Sequence, residues 1–105
     1  MDNNTNQQLT RRFVDLYAIT PQEAHCIARA FARCADETGQ ALRSLALVYL
    51  QGMCSMLTAQ KRITRETMNT LLGQACSIAG ADAPEARSNA VKSLLDPVAY
   101  EIAHS

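Results

Sequence analysis

Apolar residues recur at helical spacings of three and four along most of the chain, and no segment alternates apolar with polar over the length of a strand, so the pattern predicts helices throughout. Leu9, Phe13, Leu16 and Tyr17 form the first, a short one. Residues 1 to 6 carry Asp, Asn and Thr and offer nothing to bury; they are expected to be disordered, with residues 7 to 105 forming one helical domain.

The next start is written in Ile19-Thr20-Pro21-Gln22-Glu23. Thr20 can accept from the Glu23 amide while Glu23 reaches back to the Thr20 amide, a capping box, and Pro21 falls at the first helical position where its missing N–H costs nothing. From there Ala24, Ile27, Phe31, Cys34, Ala35, Thr38, Leu42, Leu45, Tyr49, Met53 and Met56 keep one face. Arg29, Arg33, Asp36, Glu37 and Gln40 occupy the other, with Arg33 and Glu37 spaced for an ion pair. The unbroken register predicts one helix over about 21–60, roughly 60 Å long at about 1.5 Å per residue. A compact chain of this length is narrower than that, so the molecule is expected to be elongated or dimeric. Gly39 is the one interruption, and the competing arrangement bends the helix there and packs the chain on itself. Leu47, Leu50 and Cys54 widen the apolar stripe in the second half, which therefore needs cover on two sides.

Ile63-Thr64 repeats the start signal, with Ile63 and Met68 spaced as a hydrophobic staple and Glu66 at the positive end of a third helix. Its buried face is Met68, Leu71, Leu72, Ala75 and Ile78, and Gly80 is placed to end it as a left-handed residue. Asp82 to Glu85 is a second capping-box pattern, opening a fourth helix with Ala86, Ala90, Val91, Leu94 and Leu95 inward. Asp96-Pro97 then kinks or restarts the chain into a short docking helix through Val98 and Ile102, leaving His104 and Ser105 to solvent. The expected fold is all-α, a small bundle of four to five helices with one long central helix, dimeric.

Composition narrows the function. Lys+Arg and Asp+Glu number 10 each among 105 residues, so the chain lacks the overall positive charge of a dedicated nucleic-acid binder. The first dozen residues have no apolar core and cannot serve as a signal peptide's hydrophobic region. The apolar stretch from Arg43 to Lys61 is interrupted by Ser44, Gln51, Gly52 and Ser55 and falls short of about 20 apolar residues, so it reads as a buried helix and not as a membrane span. A cytoplasmic location with no membrane partner follows as the expectation. Cys26, Cys34, Cys54 and Cys76 form no CxxC and sit in apolar helical patterns, as reduced core thiols do. His25 and Cys26 are adjacent, but neighbours on a helix point about 100° apart and cannot pair as nucleophile and base; Cys26 lies off the main stripe and is expected to be a semi-exposed structural thiol. Glu23, Asp82 and Glu85 are accounted for as caps, and there is neither a glycine-rich phosphate loop nor an HExxH. No catalytic residue, metal or cofactor is expected.

Two binding readings remain. A helix-turn-helix over 64–95 would offer only Arg87 and Lys92 as cations on the outward face of its last helix, but Lys61, Arg62 and Arg65 cluster between the second and third predicted helices, with Arg11 and Arg12 able to join them in space. They support a small DNA-binding regulator as the alternative, without the interleaved aromatics of a stacking platform. The leading reading is protein binding: the apolar surplus of the long helix assigns Ile27, Phe31, Leu42, Leu45, Tyr49, Met53 and Met56 to self-association or a target, against the rival reading that these are intrachain core. Phe31 separates the two, because a charge placed on an interface residue removes association and leaves helicity intact.

From its polar start through LTRRFVDLYAITPQEA to RAFARCADETGQALRSLALVYLQGMCSML, the whole chain resembles the QslA-type quorum-sensing antiactivators in size and order of elements. The resemblance implies a bacterial cytoplasmic homodimer that binds the ligand-binding domain of a LuxR-type transcription factor such as LasR and blocks its dimerisation and DNA binding. It implies no catalytic residue and no cofactor, and it offers no motif on which a contact residue could be placed.

Overall fold

The structure, a computed structural model, describes residues 3–94 and contains α1 (Asn3–Leu16), α2 (Pro21–Asp36), α3 (Gln40–Ala59), α4 (Arg65–Gly80) and α5 (Pro84–Ser93). The described part is all-helical, as the apolar spacing predicts. Leu95, Asp96-Pro97, Val98, Ile102, His104 and Ser105, on which the terminal helix was to rest, lie outside the described residues.

Helix α1 begins at Asn3, earlier than the apolar spacing from Leu9 places it. Leu9 and Phe13 are buried and hold the helix down, and extending a formed helix by a turn is far easier than nucleating one. The Thr10 hydroxyl adds a bond to the Asn6 carbonyl at 2.8 Å. At α2 the capping box is complete: the Glu23 amide donates to Thr20 Oγ1 at 3.2 Å, and the Thr20 amide to Glu23 Oε1 at 2.8 Å.

The predicted single helix over 21–60 is two helices. The backbone turns extended at Glu37 (φ −66°, ψ 132°) and again at Gly39 (φ −92°, ψ 137°) before α3 restarts. The described residues span 35 × 29 × 24 Å, shorter than a continuous helix of that length would require. Gly39 is not left-handed, so its special freedom is not what breaks the helix. Arg43, one turn into α3, donates to the carbonyls of Glu37 (2.9 Å), Thr38 (3.1 Å) and Ala79 (3.0 Å), which fixes the turn against the end of α4.

The turn also changes which face of α3 is inside. Ala46, Leu50, Cys54 and Leu57 are buried, whereas Leu42, Leu45, Tyr49 and Met56 are exposed. Ile27 and Phe31, expected at an interface, are core: they are 1 % and 0 % exposed, and the Phe31 ring lies 5.7 Å from that of Phe13. Met53 is half-buried against the same core. The helix at the centre is α2, which packs on each of the other four, while α3 packs chiefly on α2 and α4.

Around α4 the start signal holds, with the Thr67 amide donating to Thr64 Oγ1 at 3.0 Å, Ile63 buried and Met68 half-buried beside the core. The stop signal does not: Gly80 stays in the helix and no glycine has a positive φ. The left-handed residue is instead Lys61 (φ 60°) after α3, where the Lys61 and Arg62 amides donate to Thr58 and Leu57 in a Schellman motif. The capping box of Asp82 and Glu85 is not formed, because Pro84 takes the first helical position and leaves Ala83 as the N-cap.

Arg87 also departs from expectation. It points inward, 4 % exposed, and Ala86 outward. Its Nε donates to the Ala35 carbonyl at 3.0 Å and its Nη1 to Ala81 at 2.8 Å, with a longer contact to Asp82 at 3.5 Å. Carbonyls at a helix end have no intrahelical partner and carry partial negative charge, so a buried guanidinium there satisfies them without a carboxylate. Arg87→Met strips these acceptors of a charged donor and is expected to cost about 2–3 kcal/mol in urea unfolding, whereas Lys92→Met on the same helix stays within about 0.5 kcal/mol.

Candidate protein-binding groove

Helix α3 is apolar on two sides. Its core side is spent on Leu50, Cys54 and Leu57, yet Leu42, Leu45, Tyr49, Gly52 and Met56 follow one another at alternating steps of three and four, the spacing of a coiled-coil seam. Val48 flanks it. The seam is bare: Leu45 and Val48 are each 64 % exposed, Tyr49 53 %, Leu42 51 % and Met56 44 %. Every exposed large hydrophobic side chain among the described residues therefore belongs to this one helix. Nothing lies over Gly52, so a partner backbone could approach closely there.

Between α2 and α3 the seam becomes one wall of a groove of about 540 Å³. Leu42, Leu45, Val48 and Tyr49 form the apolar wall; His25, Cys26, Arg29, Arg33 and Glu37 line the other. Ala30 and Ala46, both buried, are the small residues at the base, and their size leaves the depression above them open. The α2 wall follows from helix geometry, since positions 25, 29, 33 and 37 form a single row along the surface.

The groove is electrostatically one-sided. Arg29 and Arg33 are exposed and make no hydrogen bond or ion pair among the described residues, so the Arg33–Glu37 pair allowed by spacing is not made. The Cys26 thiol beside the Tyr49 hydroxyl, together with desolvation, raises the Tyr49 pKa, and the two guanidiniums act in the opposite direction.

Of the residues expected at an interface, the structure brings Leu42, Leu45 and Tyr49 together in the groove and sets Met56 further along the same seam. Ile27, Phe31 and Met53 belong to the core side. Sequence reasoning missed Val48, His25, Cys26, Arg29 and Arg33. A seam register counted from Leu42 would have found Val48 as its flank; the α2 residues give no signal until α3 is folded back beside them.

The basic cluster is not free as a set. Both Nη atoms of Arg62 hold the Glu23 carboxylate, and its Nε donates to the Ala18 carbonyl at 3.1 Å, which leaves Lys61 and Arg65 exposed. The Arg62 hydrogen bonds, then the Thr20 amide, draw the Glu23 pKa from 4.5 to about 2. Cys34 and Cys54 are buried as expected of core thiols, with burial pushing both up to about 11. Cys26 is half-buried in the groove and Cys76 is exposed. Among the described residues no group of three His, Cys, Asp or Glu side chains could hold a metal ion, and no helix is long and apolar enough to cross a membrane.

No protein-family model, curated protein or solved structure matches the chain.

Two outcomes follow from these environments. Because the Glu23 pKa is lower folded than unfolded, its contribution to stability is full above about 4.5 and is lost as pH falls toward about 2. Glu23→Gln should flatten that part of the melting temperature's pH profile and lower stability at neutral pH. The thiolate is the form that alkylates. Iodoacetamide labelling followed by mass spectrometry should modify Cys76 first and Cys26 more slowly, with Cys34 and Cys54 reacting only on unfolding.

Proposed function

We propose that this chain is a protein-binding module that works through the exposed seam of α3, pairing with a second copy of itself and with a target, and that the target is a LuxR-type transcription factor whose dimerisation and DNA binding it blocks. The observation that carries the reading is that the exposed large apolar side chains of the described residues are all on one helix, whose other side already packs in the core. Such a contiguous patch is what interaction surfaces look like, whereas scattered single residues are ordinary. Completing the burial of each half-exposed side chain contributes about 1 kcal/mol, so a stable complex needs a partner that brings an apolar surface of its own.

The seam is longer than the groove. Leu42 to Tyr49 line it, while Gly52 and Met56 lie beyond, so self-association and target binding can divide the helix between them. A helix laid on such a surface anchors through residues at i, i+3 or i+4 and i+7. The resemblance to QslA-type antiactivators supplies the class of target and a bacterial cytoplasmic setting, and an apolar helix of this kind suits a protein that competes for another protein's dimerisation surface. The DNA-binding alternative has less support, because Arg62 is engaged with Glu23 and Ala18 and only Lys61 and Arg65 remain of the cluster.

Light scattering at low and physiological salt, with co-elution from a LuxR-type ligand-binding domain, tests the reading. A salt-insensitive dimer is expected, turned monomeric by Met56→Glu, with Leu45→Glu losing the target and both variants keeping the wild-type circular dichroism. Phe31→Glu, a charge in the core, should unfold the chain instead. A wild-type monomer that the target does not retain, or complexes that neither substitution disturbs, would overturn the reading. Steeply salt-dependent retention of DNA would replace it with the alternative.

A further inference from the structure

The groove carries more information than its apolar wall. Arg29 and Arg33 stand one turn apart on α2, exposed and without a hydrogen-bonding or ionic partner, opposite Leu42, Leu45 and Tyr49 at i, i+3 and i+7 on α3. Apolar on one side and cationic on the other, this surface is complementary to a helix that is apolar on one face and acidic along the adjoining edge. From His25 to Glu37 the α2 wall runs about 18 Å, the length of about 12 helical residues. Glu37 closes one end of the row, which restricts matched carboxylates to the stretch facing Arg29 and Arg33.

We propose that the α2/α3 groove receives an acidic amphipathic helix of about three turns from a partner protein, its apolar face on Leu42, Leu45 and Tyr49 and its carboxylates on Arg29 and Arg33. This rests on the protein-binding reading above and specifies the chemistry of the target segment. A second copy of the chain does not fit the groove as well. The exposed large hydrophobics of the described residues all lie on α3, and the only charged residue of α3 is Arg43. A second α3 would therefore bury the apolar wall and leave both guanidiniums without a counter-charge. A small amphipathic acid brings a single carboxylate to two guanidiniums and leaves much of an elongated wall uncovered.

The test uses the full chain and stapled helical peptides of about 14 residues that share one leucine pattern and carry Glu, Gln or Lys along one edge. Fluorescence anisotropy at low salt should show the Glu peptide binding on the order of tenfold more tightly than the Lys peptide, with the difference shrinking as salt rises. The double variant Arg29→Glu/Arg33→Glu should reverse the order, and Leu45→Glu should abolish binding of all three, each with unchanged circular dichroism. Equal binding of Glu and Lys peptides would overturn the acidic assignment while leaving the protein-binding reading in place. Binding of decanoate that depends on Arg29 and Arg33, with no peptide bound, would overturn the helical occupant in favour of a small amphiphile. If no peptide binds but Met56→Glu still dissociates a dimer, the proposal falls and the reading stands. If Leu45→Glu and Met56→Glu alter neither mass, target retention nor peptide binding, both fall.

Discussion

Arg43 and Arg87 hold two of the turns between the helices, the one after α2 and the one after α4, and they do so by the same chemistry. Helix C-termini present carbonyls that the helix itself cannot satisfy, and a guanidinium offers several donors in one rigid fork. Arg43 gathers Glu37 and Thr38 from the turn after α2 and Ala79 from the end of α4. Arg87 gathers Ala35 from α2 and Ala81 from the turn after α4. The ends of α2 and α4 are thereby tied to the helices that follow them, α3 and α5, and the four-way packing around α2 becomes possible. The apolar register alone is compatible with α2 and α3 as one rod, and the Arg43 contacts are made only in the turned form.

The exposed seam is a consequence of that topology. Helix α2 sits at the centre and packs on the other four helices along its apolar face, while α3 has only α2 and α4 as its principal neighbours. A helix with two neighbours can bury one side, and α3 uses the side of Ala46, Leu50, Cys54 and Leu57. Leu42, Leu45, Val48, Tyr49 and Met56 are then left outside by geometry, with no further helix among the described residues to lay over them. Their exposure costs the folded monomer no packing, because the core is built from the other side of α3 and these side chains meet water in the unfolded chain as well.

The starts of α2 and α4 were legible in the sequence because they are encoded locally. Thr20, Pro21 and Glu23 specify the α2 N-terminus among themselves, and Thr64 does the same for α4. The turn at Glu37–Gly39 was legible only as the competing bend at Gly39, because its decisive partner Arg43 reads as a polar residue on a helix and its third acceptor, Ala79, is 36 positions away. One misread turn propagated into the site. With an unbroken helix, Ile27, Phe31, Leu42 and Leu45 share a face; with the turn, the first pair enters the core and the second leaves it. The fate of Arg87 was hidden for the same reason, since a lone cation on a short helix reads as solvent-facing until the carbonyls that need it come close.

Net charge is a poor guide to the surface of such a chain. The sequence balances ten basic against ten acidic residues, but the structural arginines are not all balanced by acids. Arg62 takes a carboxylate, that of Glu23, whereas Arg43 and Arg87 are neutralised by carbonyl dipoles that carry no formal charge. Carboxylates elsewhere on the surface are accordingly left unmatched by these two, and their positions relative to the remaining cations decide what the protein attracts. At the α2/α3 groove the local balance is positive: Arg29 and Arg33 face outward with Glu37 at one end, beside a wall of leucine, valine and tyrosine. Apolar area gives such a site affinity for many helices, and the two unpaired guanidiniums discriminate among them, because a cationic helix would meet repulsion where an acidic one meets a partner.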